Sequence, residues 1–182
     1  KNLLLLTGAA GSGKSTAVTK IKMFLLGEFR SKREKEGVTV VLLPIGLQTL
    51  RNPLSGIFEE GAKLAYNGQL RDEQIDELRT LVQAENSKVE LIFMLDAYDE
   101  MRPEHLFKNL WRTNNLESYR DLVNNPNDQP KVVITARSEM LAGKKYDDYI
   151  TSFLPLEGEN SSKDEPHEAE QFFQELRILP FG

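Results

Sequence analysis

Residues Gly8 to Thr16 read GAAGSGKST and stand directly behind four consecutive leucines, Leu3 to Leu6. Gly8, Gly13, Lys14 and Ser15 fill every fixed position of the pattern G-x-x-x-x-G-K-[ST]. At average residue usage chance supplies such a match in roughly one per cent or less of chains this long, so a plain glycine turn beside a surface lysine explains it poorly. The flanks agree. Leu3 to Leu6 reads as a buried strand, and Ala17, Val18, Ile21, Phe24 and Leu25 recur at the spacing of an amphipathic helix. Strand, glycine loop, helix is the order a phosphate-binding loop requires.

The residue types suit that chemistry. A polyphosphate presents many oxygens, and a glycine-rich loop aims successive backbone N–H groups at them without side chains in the way. Gly8, Ala9, Ala10, Gly11, Ser12, Gly13, Lys14, Ser15 and Thr16 are therefore candidate nucleotide-binding residues. The following helix adds free N-terminal amides and the positive end of its dipole, Lys14 adds a cation for the β and γ phosphates, and Ser15 offers a hydroxyl to Mg²⁺.

Composition narrows the alternatives. With 182 residues, 40% of them hydrophobic and 28% charged, the chain fits one globular domain with a sizeable core. A net charge of −5 argues against a nucleic-acid-binding surface. The one basic cluster, Arg30, Lys32, Arg33 and Lys35, falls at the expected end of the first helix, where cations suit the dipole. The absence of cysteine excludes disulfides and thiolate chemistry, and His105 and His167 are too far apart for paired ligand spacing. No apolar run approaches membrane-spanning length and no signal peptide is recognisable, so the expectation is a cytoplasmic protein without a membrane span. Lys1 immediately before a core strand, and the sudden end at Pro180 to Gly182, suggest a piece of something longer.

Along the chain, Val38 to Ile45 reads as a second buried strand, Val89 to Leu95 as a third, Lys131 to Ala136 as a fourth and Leu176 to Phe181 as a short fifth. Leu54 to Tyr66, Asp72 to Glu85, Leu106 to Leu110 and Leu116 to Val123 read as helical, with Asp72 as a cap and Ile75, Leu78, Leu81 and Val82 on one face of their helix. Asn124 to Pro130 reads as a turn, and the acidic stretch Glu157 to Glu170 as an exposed loop. Strands alternating with helices predict a parallel sheet covered on both faces, an α/β architecture.

The second informative stretch is LIFMLDAYDE, Leu91 to Glu100. A buried parallel strand delivers its last residue to the ligand-binding edge of the sheet, so Asp96 is expected to face the phosphates and hold Mg²⁺ together with Ser15. A metal needs only one or two carboxylates, whereas Asp99 and Glu100 add two more. One of them can deprotonate an attacking water; the alternative is that both cap the next helix, entering at Met101 or Pro103.

GAAGSGKST, DAYDE at Asp96 to Glu100 and VVITARSE at Val132 to Glu139 together resemble the NACHT domains, a branch of the STAND class of P-loop NTPases. Ala97 stands where the family's D-G-x-D-E usually has glycine. The resemblance spans residues 1 to 182 as one nucleotide-binding domain. It implies a P-loop NTPase three-layer sandwich with a five-stranded, mainly parallel sheet, the glycine-loop strand between the fourth and fifth strands and the Asp96 strand beyond the fourth. It further implies ATP (or GTP) with Mg²⁺, Asp96 as the metal-linked acid, Glu100 or Asp99 as catalytic base, and Arg137 as the sensor of the γ-phosphate. The implied partners are adjacent helical, winged-helix and repeat domains of a parent protein, and a nucleotide-dependent oligomer.

Three functions fit these residues. The leading one is a nucleoside triphosphatase core serving as a conformational switch. A second is a nucleotide-binding scaffold with negligible turnover, and a third is a small-molecule kinase, for which only Arg137 and the loop Leu141 to Asp148 offer anything resembling a lid.

Overall fold

The computed structural model describes residues 3–84, 87–119, 131–141 and 173–179. Five strands, β1 (Leu3–Gly8), β2 (Thr39–Gly46), β3 (Val89–Asp96), β4 (Lys131–Arg137) and β5 (Phe173–Ile178), form one sheet in the order β2-β3-β4-β1-β5. All four neighbouring pairs are parallel. The glycine-loop strand thus lies between β4 and β5, and the strand ending in Asp96 lies beyond β4.

Strand side chains alternate between two cores, as the two-residue period of a pleated strand requires. Leu91, Phe93 and Leu95 of β3 join one cluster with Leu3, Leu43, Ile45 and Ile134, whereas Ile92 and Met94 join the other with Leu6, Leu42 and Val133. The first face is covered by α2 (Glu59–Ala65), α3 (Asp72–Gln83), α4 (Leu110–Thr113) and the loops between them, which contribute Ile57, Phe58, Tyr98 and Trp111. Here Tyr119 stacks on Phe58 with ring centroids 4.8 Å apart, and the Arg79 guanidinium lies 5.5 Å from the Phe58 centroid while pairing with Glu59. Burial, and then the charge of Glu59, push the Tyr119 hydroxyl above its ordinary pKa against the pull of Arg79.

The second face is covered by α1 (Lys14–Glu36), whose Val18, Ile21, Leu25 and Phe29 form a single stripe against the sheet. Helices on both faces of a parallel sheet make an α/β three-layer sandwich. Phe24 departs from its expected inward position: it is 66% exposed, because it lies about 100° around the helix from Leu25. The basic cluster does fall at the end of α1, which stops at Gly37 in a left-handed conformation, with the Gly37 N–H donating to Arg33 O.

Other boundaries moved for local reasons. The helix expected from Leu54 begins only at Glu59, because Asn52 holds a turn: its carbonyl accepts from Ser55 and Gly56 N–H, and its Oδ1 from Leu54 N–H. Asp72 is the first residue of α3 rather than its cap; Arg71 precedes it and donates its N–H to Gln74 Oε1 at 3.0 Å. Leu106 to Leu110 is not a helix. Phe107 has φ 60°, and Asn109 caps the short α4 by accepting from Arg112 N–H. Leu116–Tyr119 is a 3-10 turn, with residues 120–123 outside the described residues, as are 124–130 and 157–170. The fifth strand runs three residues earlier than the expected Leu176 to Phe181, leaving Leu179 beyond its end and 69% exposed.

Candidate active site

The parallel registers bring the strand ends to one edge: Gly8 lies opposite Arg137 and Ile178, and Gly46 opposite Asp96. Over this edge lies a cleft of about 390 Å³, lined among others by Gly13, Lys14, Ser15, Asp96, Glu100 and Arg137.

The loop owes its shape to its glycines. Gly13, just before α1, has φ 93°, and Gly11 has φ 72°, a region that costs other residues roughly 1–2 kcal/mol. A Cβ on Gly8 would stand 2.4 Å from Ser12 Oγ and 2.8 Å from Ile178 O, so only glycine lets the loop close against β5. Within Gly8 to Thr16 the cleft is lined by Ala10, Gly11, Gly13, Lys14, Ser15 and Thr16, with Gly8, Ala9 and Ser12 behind them. The Ser12 side chain is turned inward and its residue is 2% exposed; its backbone N–H donates to Ala9 O at 3.1 Å. Lys14 Nζ donates to Gly8 O at 2.8 Å and to Ala9 O at 2.9 Å, which holds the ammonium over the loop.

The acidic side of the cleft is built by β3, β4 and the turn after β3. Thr135 of β4, 1% exposed, donates its hydroxyl to Asp96 Oδ1 and accepts the Ala97 N–H at 2.8 Å. Ala97 adopts φ 59° and ψ 52°, the left-handed conformation that glycine takes more cheaply. That reversal leads into the 3-10 turn Tyr98–Glu100. Tyr98 anchors the turn in the core at 0% exposure, and its hydroxyl accepts the Phe107 N–H.

The two remaining acids have different surroundings. The Asp99 side chain is 4% exposed; its Oδ1 accepts the Arg137 backbone N–H at 3.0 Å and its Oδ2 lies 2.9 Å from Arg137 Nε. The Glu100 side chain is 46% exposed and accepts from Arg137 Nη2 at 3.1 Å. All the sequence-predicted acids and Arg137 thus meet at one edge, with Asp99 engaged by Arg137 on two sides and Glu100 open to the cleft.

The donor set fits Mg²⁺. Ser15 and Asp96 both line the cleft and offer hard oxygen ligands, and Mg²⁺ usually takes one or two protein oxygens and completes its shell with phosphate and water. Among the described residues no three His, Cys, Asp or Glu side chains gather as a self-sufficient metal site. Two residues of the cleft were not singled out from the sequence. Thr135 carried a signal as the threonine of T-A-R, whereas Gln48, after β2, belongs to no motif.

No family profile and no curated protein matches the sequence. The chain is similar to a solved structure of C. elegans PCH-2, with 19% identity, a TM-score of 0.46, and a match covering 99% of this chain and 36% of that one. It therefore spans little more than a third of that protein's length. Sheet order, loop and cleft define the architecture. The fold is the P-loop NTPase sandwich. No helix among the described residues is long and apolar enough to cross a membrane.

Proposed function

We propose that this chain binds a Mg²⁺–nucleoside triphosphate and hydrolyses it slowly, as the switch module of a larger signalling or regulatory protein of NACHT type. The observation that carries this reading is the convergence of Lys14, Ser15, Asp96, Glu100 and Arg137 on one cleft. Lys14 and the α1 amides would take the phosphates, Ser15 and Asp96 the metal, which supplies charge neutralisation when bound. Glu100 is the better candidate base, because Asp99 is buried against Arg137. Arg137, also in the cleft lining, would read the γ-phosphate, as the NACHT resemblance implies. ATP is favoured over GTP by the NACHT resemblance, which also motivates helical, winged-helix and repeat domains as partners, a nucleotide-dependent oligomer and a cytoplasmic setting.

One observation favours the scaffold reading: Glu100 is paired with Arg137, and a base held in an ion pair is a poor base. Two measurements separate the readings. Titration with a fluorescent ATP analogue, with and without Mg²⁺, reports binding, and phosphate release under single-turnover conditions reports hydrolysis. Binding without release supports the scaffold; absence of binding removes both. For the kinase reading, most of the lid candidate, residues 142–148, lies outside the described residues.

A further inference from the structure

After β2 the chain makes a 3-10 turn, Leu47–Thr49, whose middle residue, Gln48, reaches the lining of the cleft. This turn is firmly seated. Leu47 and Leu50 are 1% and 6% exposed, Thr49 Oγ1 donates to Gly46 O at 2.6 Å, and the turn packs beside Tyr98–Glu100. Between these anchors Gln48 is exposed, and it is one of the residues that line the cleft. Its amide lies over Gly46: a Cβ there would stand 3.0 Å from Gln48 Oε1 and 3.4 Å from Nε2. Gly46 is itself the register partner of Asp96. Among the described residues the Gln48 amide has no hydrogen-bond partner, although the platform beneath it is fixed.

We infer that Gln48 positions the attacking water for hydrolysis, together with Glu100. The inference rests on the proposed triphosphatase activity and names a residue that neither the glycine loop nor the acidic motif supplies. An amide suits this task because its oxygen accepts one O–H of a water while its NH₂ donates to the water or to a phosphate oxygen. A carboxylate at the same cleft then accepts the second proton. In the step so arranged, the water oxygen bonds to the γ-phosphorus and its proton passes to Glu100. The bond from phosphorus to the β,γ-bridging oxygen breaks, its electron pair stays with the departing nucleoside diphosphate, and inorganic phosphate is the second product. Little covalent chemistry is left to the protein in such a reaction, so placement of the water carries a large share of the rate.

The test compares the whole chain with its Gln48→Ala and Gln48→Asn variants, the latter keeping the amide one methylene short. Fluorescent ATP-analogue affinity, single-turnover phosphate release and the thermal midpoint are measured for each. The expected result is affinity within about threefold of the parent, an unchanged midpoint, and release slowed about 10²-fold by both variants, the usual worth of a misplaced reacting group. If the parent releases phosphate and Gln48→Ala does so within twofold of it, Gln48 has no such role while the triphosphatase reading stands. If affinity falls as much as rate, Gln48 is a phosphate contact and the inference is overturned. A parent chain that binds but never releases phosphate removes the triphosphatase reading and this inference with it.

Discussion

Asp99 meets Arg137 twice, through the backbone N–H at 3.0 Å and through Nε at 2.9 Å. One carboxylate thereby fixes both the end of β4 and the direction of the arginine side chain. Asp99→Ala should cost about 1.5 kcal/mol in urea unfolding, the lower end for a charged hydrogen bond because the Arg137 side chain is 46% exposed. Asp99→Asn should cost less, since its amide oxygen can still accept the backbone N–H.

Lys14→Ala should weaken ATP-analogue binding by about ten- to a hundredfold, corresponding to about 1.5–3 kcal/mol for a charge-assisted contact. Its far-UV spectrum and thermal midpoint should hardly move, because among the described residues the ammonium hydrogen-bonds only to the loop carbonyls of Gly8 and Ala9. Unchanged affinity in the folded variant would refute the phosphate-loop assignment.

Glu100→Gln should retain Mg²⁺-dependent binding and slow phosphate release by about 10²- to 10⁴-fold, the range for a general base. Normal release in this variant, combined with loss in Asp99→Asn, would move the base to Asp99.

Ala97→Gly should stabilise the protein by about 1 kcal/mol, because alanine pays for the left-handed conformation at φ 59° and glycine does not. The denaturation midpoint checks this. A drop in stability would mean that the Ala97 methyl packs more usefully than its backbone conformation suggests.

Glu90 sits between Lys32 of α1 and Lys131 of β4. Burial alone would raise its carboxyl pKa, but the hydrogen bonds from Lys131 and Lys32 outweigh burial and hold it below the ordinary 4.5. A depressed folded pKa contributes stability that is fully present above the unfolded value and is lost as pH falls through the folded one. The stability difference between the parent and Glu90→Gln should therefore be constant from pH 7 down to about 5 and shrink below about 4.5. A difference that grows on acidification would reverse the assignment.

The parts of this molecule that were legible in the sequence are those where one physical demand dominates. β1 and β3 are apolar on both faces because both faces are covered, so LLLL and LIFML stand out without any partner in view. The glycine loop is legible because few other residues can make its turns. β5 was misplaced because FQELRI lies at the sheet edge, with Leu176 45% exposed, and carries little of that apolar signal. The late start of α2 depended on the Asn52 turn, and the left-handed Phe107 broke an apolar run that looked helical. In the cleft, the acids and Arg137 could be named from their motifs. That Arg137 would hold Asp99 on two sides and Glu100 on one could not, since it depends on where the arginine side chain comes to rest. Gln48 was invisible because an amide after a strand has no spacing to betray it.

The ion pair of Lys32 with Glu90 gives α1 a second anchor, far from the glycine loop at its start. Eighteen residues separate Lys14 from Lys32, about 27 Å of helix, so a tilt of about 5° at the loop would displace the far end by roughly 2 Å. That is enough to part a salt bridge. α1 therefore begins at the phosphate loop and is tied to β3 near its other end, so a spectroscopic label near Lys32 should report whether a tilt at the loop is carried along the helix.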